Sequence, residues 1–259
     1  MMMQQNVIAM SKKLLPLSIL SALVLAACDP SDVVPTDPEP SPAPSSTTTP
    51  SFESGDGVIV ALITRTTTAT PIGSMDVNLG TGVAVFGDIA SATFSNAGTV
   101  TLNGTALTRN ANNSYAYIPS ATNVTGIDFT SNIKWVVETP SFTYDAAVSG
   151  KGMPRVSGAI TFTGSSLNAS ESFTLAVSGT IVNADSVYFQ INGPNKSILK
   201  RMGSSATSVT FTADEMASLG KSVGCSMTIA PWNHEMKTLG GKSIHVVNEL
   251  ALSKVVEIK

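Results

Sequence analysis

Most catalytic and metal sites are built from histidine, cysteine and paired carboxylates, and this chain has only two histidines and two cysteines in 259 residues. His234-Glu235 opens like the H-E-x-x-H zinc motif, in which two histidines one helical turn apart hold the metal and the glutamate acts as base. Thr238 stands where the second histidine belongs. A set drawn from His234, Glu235, His245 and Cys225 would need neighbouring strands to bring those side chains together. Cys225 beside a histidine would also make a nucleophile and its base. However, Cys225, Met227 and Ile229 alternate like one buried strand face, and free cysteine is among the most buried residue types. No G-x-S-x-G nucleophile elbow is present, nor a phosphate-binding glycine loop. Asp128, Glu138 and Asp145 are acids of the kind glycosidases pair, but their spacing in the chain selects no pair. The sequence therefore predicts a protein that is not an enzyme, with no catalytic residues, no metal and no cofactor.

Binding chemistry has one better candidate. In Ala230-Pro231-Trp232-Asn233-His234 a proline and an asparagine flank an aromatic residue. That composition reads as a turn between the last two strands, so Trp232, Asn233 and His234 are the expected binding residues. Trp135, inside a strand beside Val136 and Val137, reads as core, and Tyr115 and Tyr117 share one strand face.

The elements that would position these residues are strands almost throughout. In the first half they read at 57–66, 74–79, 82–86, 99–102, 105–108, 115–118, 126–129 and 133–138. Asn103-Gly104 is the dipeptide of a tight type I′ hairpin turn. Phe142 to Arg155, with Ser149-Gly150-Lys151-Gly152 and Pro154, reads as a connection between domains. The second half reads as seven strands, at 157–163, 172–181, 186–192, 197–202, 208–211, 224–230 and 243–252. Thr212-Ala213-Asp214-Glu215 fits a helix capping box, and Gly220 would stop the helix. The fold class expected is all-β, with one sandwich-like domain over 51–149 and another over 150–259. Strand count and turn spacing in the second resemble an immunoglobulin-like sandwich, without the paired cysteines of antibody domains.

The N-terminus has a different composition. Ser11-Lys12-Lys13 is a short basic region, and an apolar run from Leu14 ends in Leu25-Ala26-Ala27-Cys28. A basic start, a short apolar core and small residues before a cut site make a secretory signal peptide, here 1–27. The run is shorter than the roughly 20 apolar residues that span a bilayer. Leu25-Ala26-Ala27-Cys28 resembles the bacterial lipobox. That resemblance implies a diacylglyceryl group on the Cys28 thiol, cleavage before Cys28 and acylation of the new amine, palmitate-type chains included. Several acyl chains give stable anchoring where one does not. Asp29 resembles an inner-membrane retention signal of enterobacteria; the expectation here leans to the outer membrane, on its periplasmic face or at the cell surface. Met1 and Met10 both offer a start.

Residues 28–50 form a linker. Prolines stand at 30, 35, 38, 40, 42, 44 and 50 among Asp, Ser and Thr. Such a stretch buries too little apolar surface to offset its ordering entropy, and Pro-rich linkers extend at about 3.1 Å per residue. Charged residues make up 13% of the chain and the formal net charge is −3, which argues against nucleic acid as a partner. With Cys28 lipidated, Cys225 has no disulfide partner. The whole resembles Bacteroidota lipoproteins with β-sandwich repeats, a likeness of style that carries over no site residue. The functional expectation is a lipid-anchored module that binds a glycan or a protein without catalysis. The alternatives are a subunit of a pilus-like surface assembly and, third, an envelope hydrolase.

Overall fold

The computed structural model describes residues 55–259 apart from 71–72, 131–132, 139–142, 149 and 163–165. The expected signal peptide, Cys28 and the expected linker lie outside the described residues, as does part of the expected domain connection. The described chain is all-β. Its strands are β1 (Gly57–Thr70), β2 (Gly73–Asp88), β3 (Thr93–Phe94), β4 (Thr99–Leu102), β5 (Thr105–Ala106), β6 (Thr108–Arg109), β7 (Tyr115–Tyr117), β8 (Trp135–Glu138) and β9 (Thr143–Val148). They continue as β10 (Arg155–Val156), β11 (Ser166–Leu167), β12 (Phe173–Ala176), β13 (Ile181–Val182), β14 (Ser186–Asn192), β15 (Ser197–Gly203), β16 (Ser208–Phe211), β17 (Ser222–Leu239) and β18 (Lys242–Ile258). The helix α1 (Ala213–Leu219) sits between β16 and β17, and its capping box forms as the sequence predicts, with Thr212 accepting from the Glu215 amide.

One large sheet organises the rest, in the order β15-β14-β17-β18-β1-β2-β7-β6. Its middle is built from long strands: β17 has 18 residues and β18 has 17, a span of roughly 55 Å at the usual rise. β1 lies parallel to β18 and antiparallel to β2. The expected boundary near residue 150 therefore does not divide this sheet, since strands from both halves of the chain pair within it. Local signals could not specify that pairing, because its parallel partners are nearly two hundred residues apart in sequence.

Smaller sheets pack on one face of the large one, and two hydrophobic clusters fill the space between. One gathers Leu175, Phe189, Phe211, Met216, Met227, Ile229 and Leu252. The other gathers Ile59, Leu102, Tyr115, Ile133, Trp135 and Val246. β17 and β18 run from one cluster to the other. Trp135 and Cys225 are buried in these clusters, as their strand positions predict. The opposite face of the central strands is also shielded from water at Val58, Val60, Leu62, Trp232, Val247 and Ala251. Burial on both faces explains the continuous apolar run Val58–Ile63, while in β18 the same burial encloses His245, Asn248 and Glu249.

Two hairpins show how turn residues fix register. Asn103 (φ 49°) and Gly104 (φ 78°) make the I′ turn between β4 and β5. Gly240 (φ 51°) and Gly241 (φ 79°) make the turn between β17 and β18. That second turn sets which residues of the last two strands face each other.

Candidate functional site

The run Ala230 to His234 is not a turn. It lies in mid-strand, paired to β14 on one side and β18 on the other. Pro231 withholds one ladder donor, but the register of β17 against β18 is continuous across it. The actual turn is Gly240-Gly241, and pairing Leu239 with Lys242 sets Trp232 opposite Glu249 and Asn233 opposite Asn248.

Alternation along the strand sends the three expected binding residues to two faces. Trp232 is 1% exposed. Its ring stacks on Tyr188 with centroids 5.6 Å apart and planes 6° from parallel. The Arg201 guanidinium lies 5.4 Å from the centre of the indole, positioned by hydrogen bonds from its Nε and Nη2 to Ser186 Oγ at 3.0 and 2.9 Å. Glu249, across from Trp232, is buried as well. Burial pushes the Tyr188 hydroxyl above its ordinary pKa. This group is a packed stack with a cation over one ring, and the tryptophan offers no exposed face for a sugar.

Asn233 points the other way, toward the seam between the two hydrophobic clusters. Its Nδ2 donates to Gly152 O (2.9 Å) and Asn183 O (2.7 Å). Its Oδ1 accepts from Asn248 Nδ2 at 2.9 Å. Asn183, itself in the left-handed region at φ 59°, donates to the carbonyls of Lys151, Gly152 and Met153. The asparagines thus pin the connecting segment 151–153 to the large sheet. Their role is to satisfy buried backbone carbonyls.

His234 shares the Trp232 face. Its backbone N–H donates to Asp185 Oδ2 at 2.9 Å, and Asp185 pairs with Lys151 at 2.9 Å. Burial pulls the Asp185 carboxyl upward, but the Lys151 and His234 hydrogen bonds outweigh it and hold the group below its usual range. The His234 Nε2 meets His245 Nδ1 at 2.8 Å. His245 is 2% exposed and His234 is partly buried, and diagonal positions on β17 and β18 bring the two rings into contact. Glu235 falls on the opposite side of β17 and pairs with Lys237. Cys225 lies in the far half of β17, its thiol donating to Ser222 O at 3.5 Å and pushed up in pKa by burial. Among the described residues no three His, Cys, Asp or Glu side chains are grouped to hold a metal.

A surface the sequence did not single out has the better geometry for contact. The segment after β7, Ile118-Pro119-Ser120-Ala121-Thr122-Asn123-Val124-Thr125-Gly126, is folded on itself and exposed. Ser120 and Asn123 exchange backbone hydrogen bonds at 3.1 Å in both directions. Asn123 Nδ2 reaches the Tyr117 hydroxyl and Gly126 O, while its Oδ1 accepts from Gly126 N. The base is clamped to β2: Gly80 N donates to Thr125 O at 2.8 Å and Ile127 N to Gly80 O at 3.0 Å. Only glycine fits at Gly80, where a Cβ would lie 1.8 Å from Ile127 O. On this rigid base Ile118 is 55% and Val124 64% exposed. The run of Ser, Thr and Asn was a readable loop signal, but only the three-dimensional structure shows how its base is clamped to β2. No protein family matches the chain, and no curated protein matches it.

Proposed function

We propose that this chain is a lipid-anchored protein of the cell envelope, held through Cys28 at the outer membrane, that acts as a non-catalytic binding module for another protein. The observation that carries the binding half is the clamped loop 118–126, which presents two aliphatic side chains to solvent from an ordered base. Ordered loops on a rigid scaffold lose little entropy when they bind. Among the described residues the exposed large hydrophobics are aliphatic and methionine side chains, and both tryptophans are buried, so protein contact is favoured over sugar stacking. The two histidines engage each other and Cys225 is held as a buried thiol, which speaks for structural roles at the positions where hydrolytic chemistry would begin. We read the two hydrophobic clusters as two sandwich-like halves sharing one sheet, the second with immunoglobulin-like strand spacing.

The test is site-specific photo-crosslinking from position 124 in intact cells, with position 223 as control. Val223 is also well exposed but belongs to β17, away from the loop. A defined adduct with another envelope protein from 124 alone supports the reading; no adduct, or the same adducts from both positions, overturns it. One observation favours a second reading, the subunit of a surface assembly. β15 is an edge of the large sheet, and its charged residues Lys200 and Arg201 are drawn onto Glu215 and Ser186 instead of guarding the edge. Self-assembly of the purified chain into ladders would favour that reading.

A further inference from the structure

Arg65 and Lys254 stand at the seam between β1 and β18, on the face of the large sheet that carries the hydrophobic clusters. Arg65 lies opposite Leu252 in the parallel register, and Lys254 is the next residue of β18 on that face. Diagonal neighbours on adjacent strands lie about 7–8 Å apart, close enough for two long side chains to meet at one point. Both are half-buried. With Ala159, Ile160, Leu252 and Ser253 they line a pocket of about 70 Å³.

The pocket lies where segment 156–162 crosses the sheet. Ser178 N donates to Ala159 O at 2.9 Å and Thr161 N to Ala176 O at 2.8 Å, and Phe162 stands edge-on to Phe173 with centroids 5.8 Å apart. The two cations reach up to opposite ends of that segment. Arg65 Nη1 donates to Val156 O at a long 3.5 Å, and its Nε to Asn78 Oδ1 at 3.1 Å. Lys254 Nζ donates to Phe162 O at 2.8 Å and lies 4.9 Å from the centre of the Phe162 ring. Every one of these partners is neutral. No carboxylate lines the pocket, and among the described residues neither cation belongs to an ion pair. Asp76, the acid on β2, stands opposite Thr67 and not opposite Arg65.

A guanidinium has five N–H donors and an ammonium three, so both groups keep donors for whatever enters. Two positive charges with neutral partners, facing one small hollow, suit an anion. The volume is room for about two waters at liquid density, or for one carboxylate, and it excludes a sugar ring. The guanidinium fork matches the two oxygens of a carboxylate, while Ala159, Ile160 and Leu252 offer an alkyl group a surface away from water. We propose that the Arg65–Lys254 pocket binds a carboxylate that carries a short aliphatic group, with the charge taken by the two cations and the alkyl part lying on Ile160 and Leu252. A free short-chain acid and the C-terminal residue of a polypeptide share that chemistry. The pocket has no residue in common with loop 118–126, and the proposal stands whether or not that loop binds a protein.

The experiment is an amide NMR titration of the full chain in detergent with butyrate, N-acetyl-L-alanine and inorganic phosphate, at fixed ionic strength. Butyrate should shift the amides of 159–162 and 252–254 and saturate at about millimolar concentration, near what six heavy atoms sustain. Tighter binding of N-acetyl-L-alanine supports the site with a polypeptide end as its source, and tighter binding of butyrate supports it with a free acid. Arg65→Met and Lys254→Met should each weaken butyrate about tenfold or more, as loss of a charge-assisted hydrogen bond does. No saturable shift, shifts centred elsewhere, or phosphate bound as tightly as butyrate overturns the proposal. So do methionine variants that bind butyrate like wild type. Should those variants fail to fold, urea unfolding of the wild-type chain decides. A midpoint raised by butyrate and not by equal sodium chloride supports the site, and equal effects of the two salts overturn it.

Discussion

Gly80→Ala is the sharpest test of the loop that the functional reading depends on. Gly80 belongs to β2 and lies opposite Ile63. An alanine Cβ there would begin 1.8 Å from Ile127 O, where ordinary contact starts at 3.4 Å. The loop base would have to retreat by more than 1.5 Å, which breaks the Gly80–Thr125 and Gly80–Ile127 hydrogen bonds. Each such bond contributes about 0.5–1.5 kcal/mol net, and overpacking or partial exposure of buried Ile127 adds about 1–2 kcal/mol. The expected loss is about 2–5 kcal/mol, read as a lower urea midpoint with an unchanged slope. Gly203→Ala is the matched control, because a Cβ there meets nothing within 4 Å. Hydrogen exchange should show the Ile127 amide deprotected in Gly80→Ala while β17 and β18 stay protected. A loss below about 0.5 kcal/mol, with the Ile127 amide still protected, would refute the clamp.

Three further changes probe the site and its frame. Asn233→Ala strands the Asn183 carbonyl and the Asn248 amide and leaves Gly152 O with the Asn183 donor alone; it should cost about 2–4 kcal/mol in urea unfolding, and a near-neutral result would mean that the seam is wet or dispensable. Thr212→Ala removes the helix cap that bonds the Glu215 amide and should cost about 1 kcal/mol, measured the same way; no change would show that the box contributes nothing here. Cys225, buried with its thiol pushed up in pKa, should react with a thiol reagent only as fast as the protein opens. Rapid labelling at neutral pH would place it at the surface.

Much of the fold was legible because local chemistry and tertiary structure agree. Asn103-Gly104 turns where its dipeptide requires, Thr212 caps α1, and Cys225, Met227 and Ile229 share a buried face. The reading failed where a local signal was overridden. Pro231 and Asn233 read as a turn, yet β14 and β18 hold the strand straight through them. Gly240-Gly241 carried the correct turn signal, and its register places His234 and His245 on diagonal positions, so the pair was recoverable from the sequence. The parallel pairing of β1 with β18 was not, because no turn or short loop links those strands. The burial of Trp232 also followed from tertiary structure alone: it depends on the second face of the sheet being covered, which strand alternation does not report.

Membrane partition of wild-type chain against Cys28→Ala, with palmitate incorporation followed in the same cells, tests the anchoring claim most directly. Wild-type protein should carry label and sediment with membranes, while Cys28→Ala should be unlabelled and released into the soluble envelope or the medium. A wild-type protein that takes up no label, or a Cys28→Ala variant that stays with the membrane, would contradict the account.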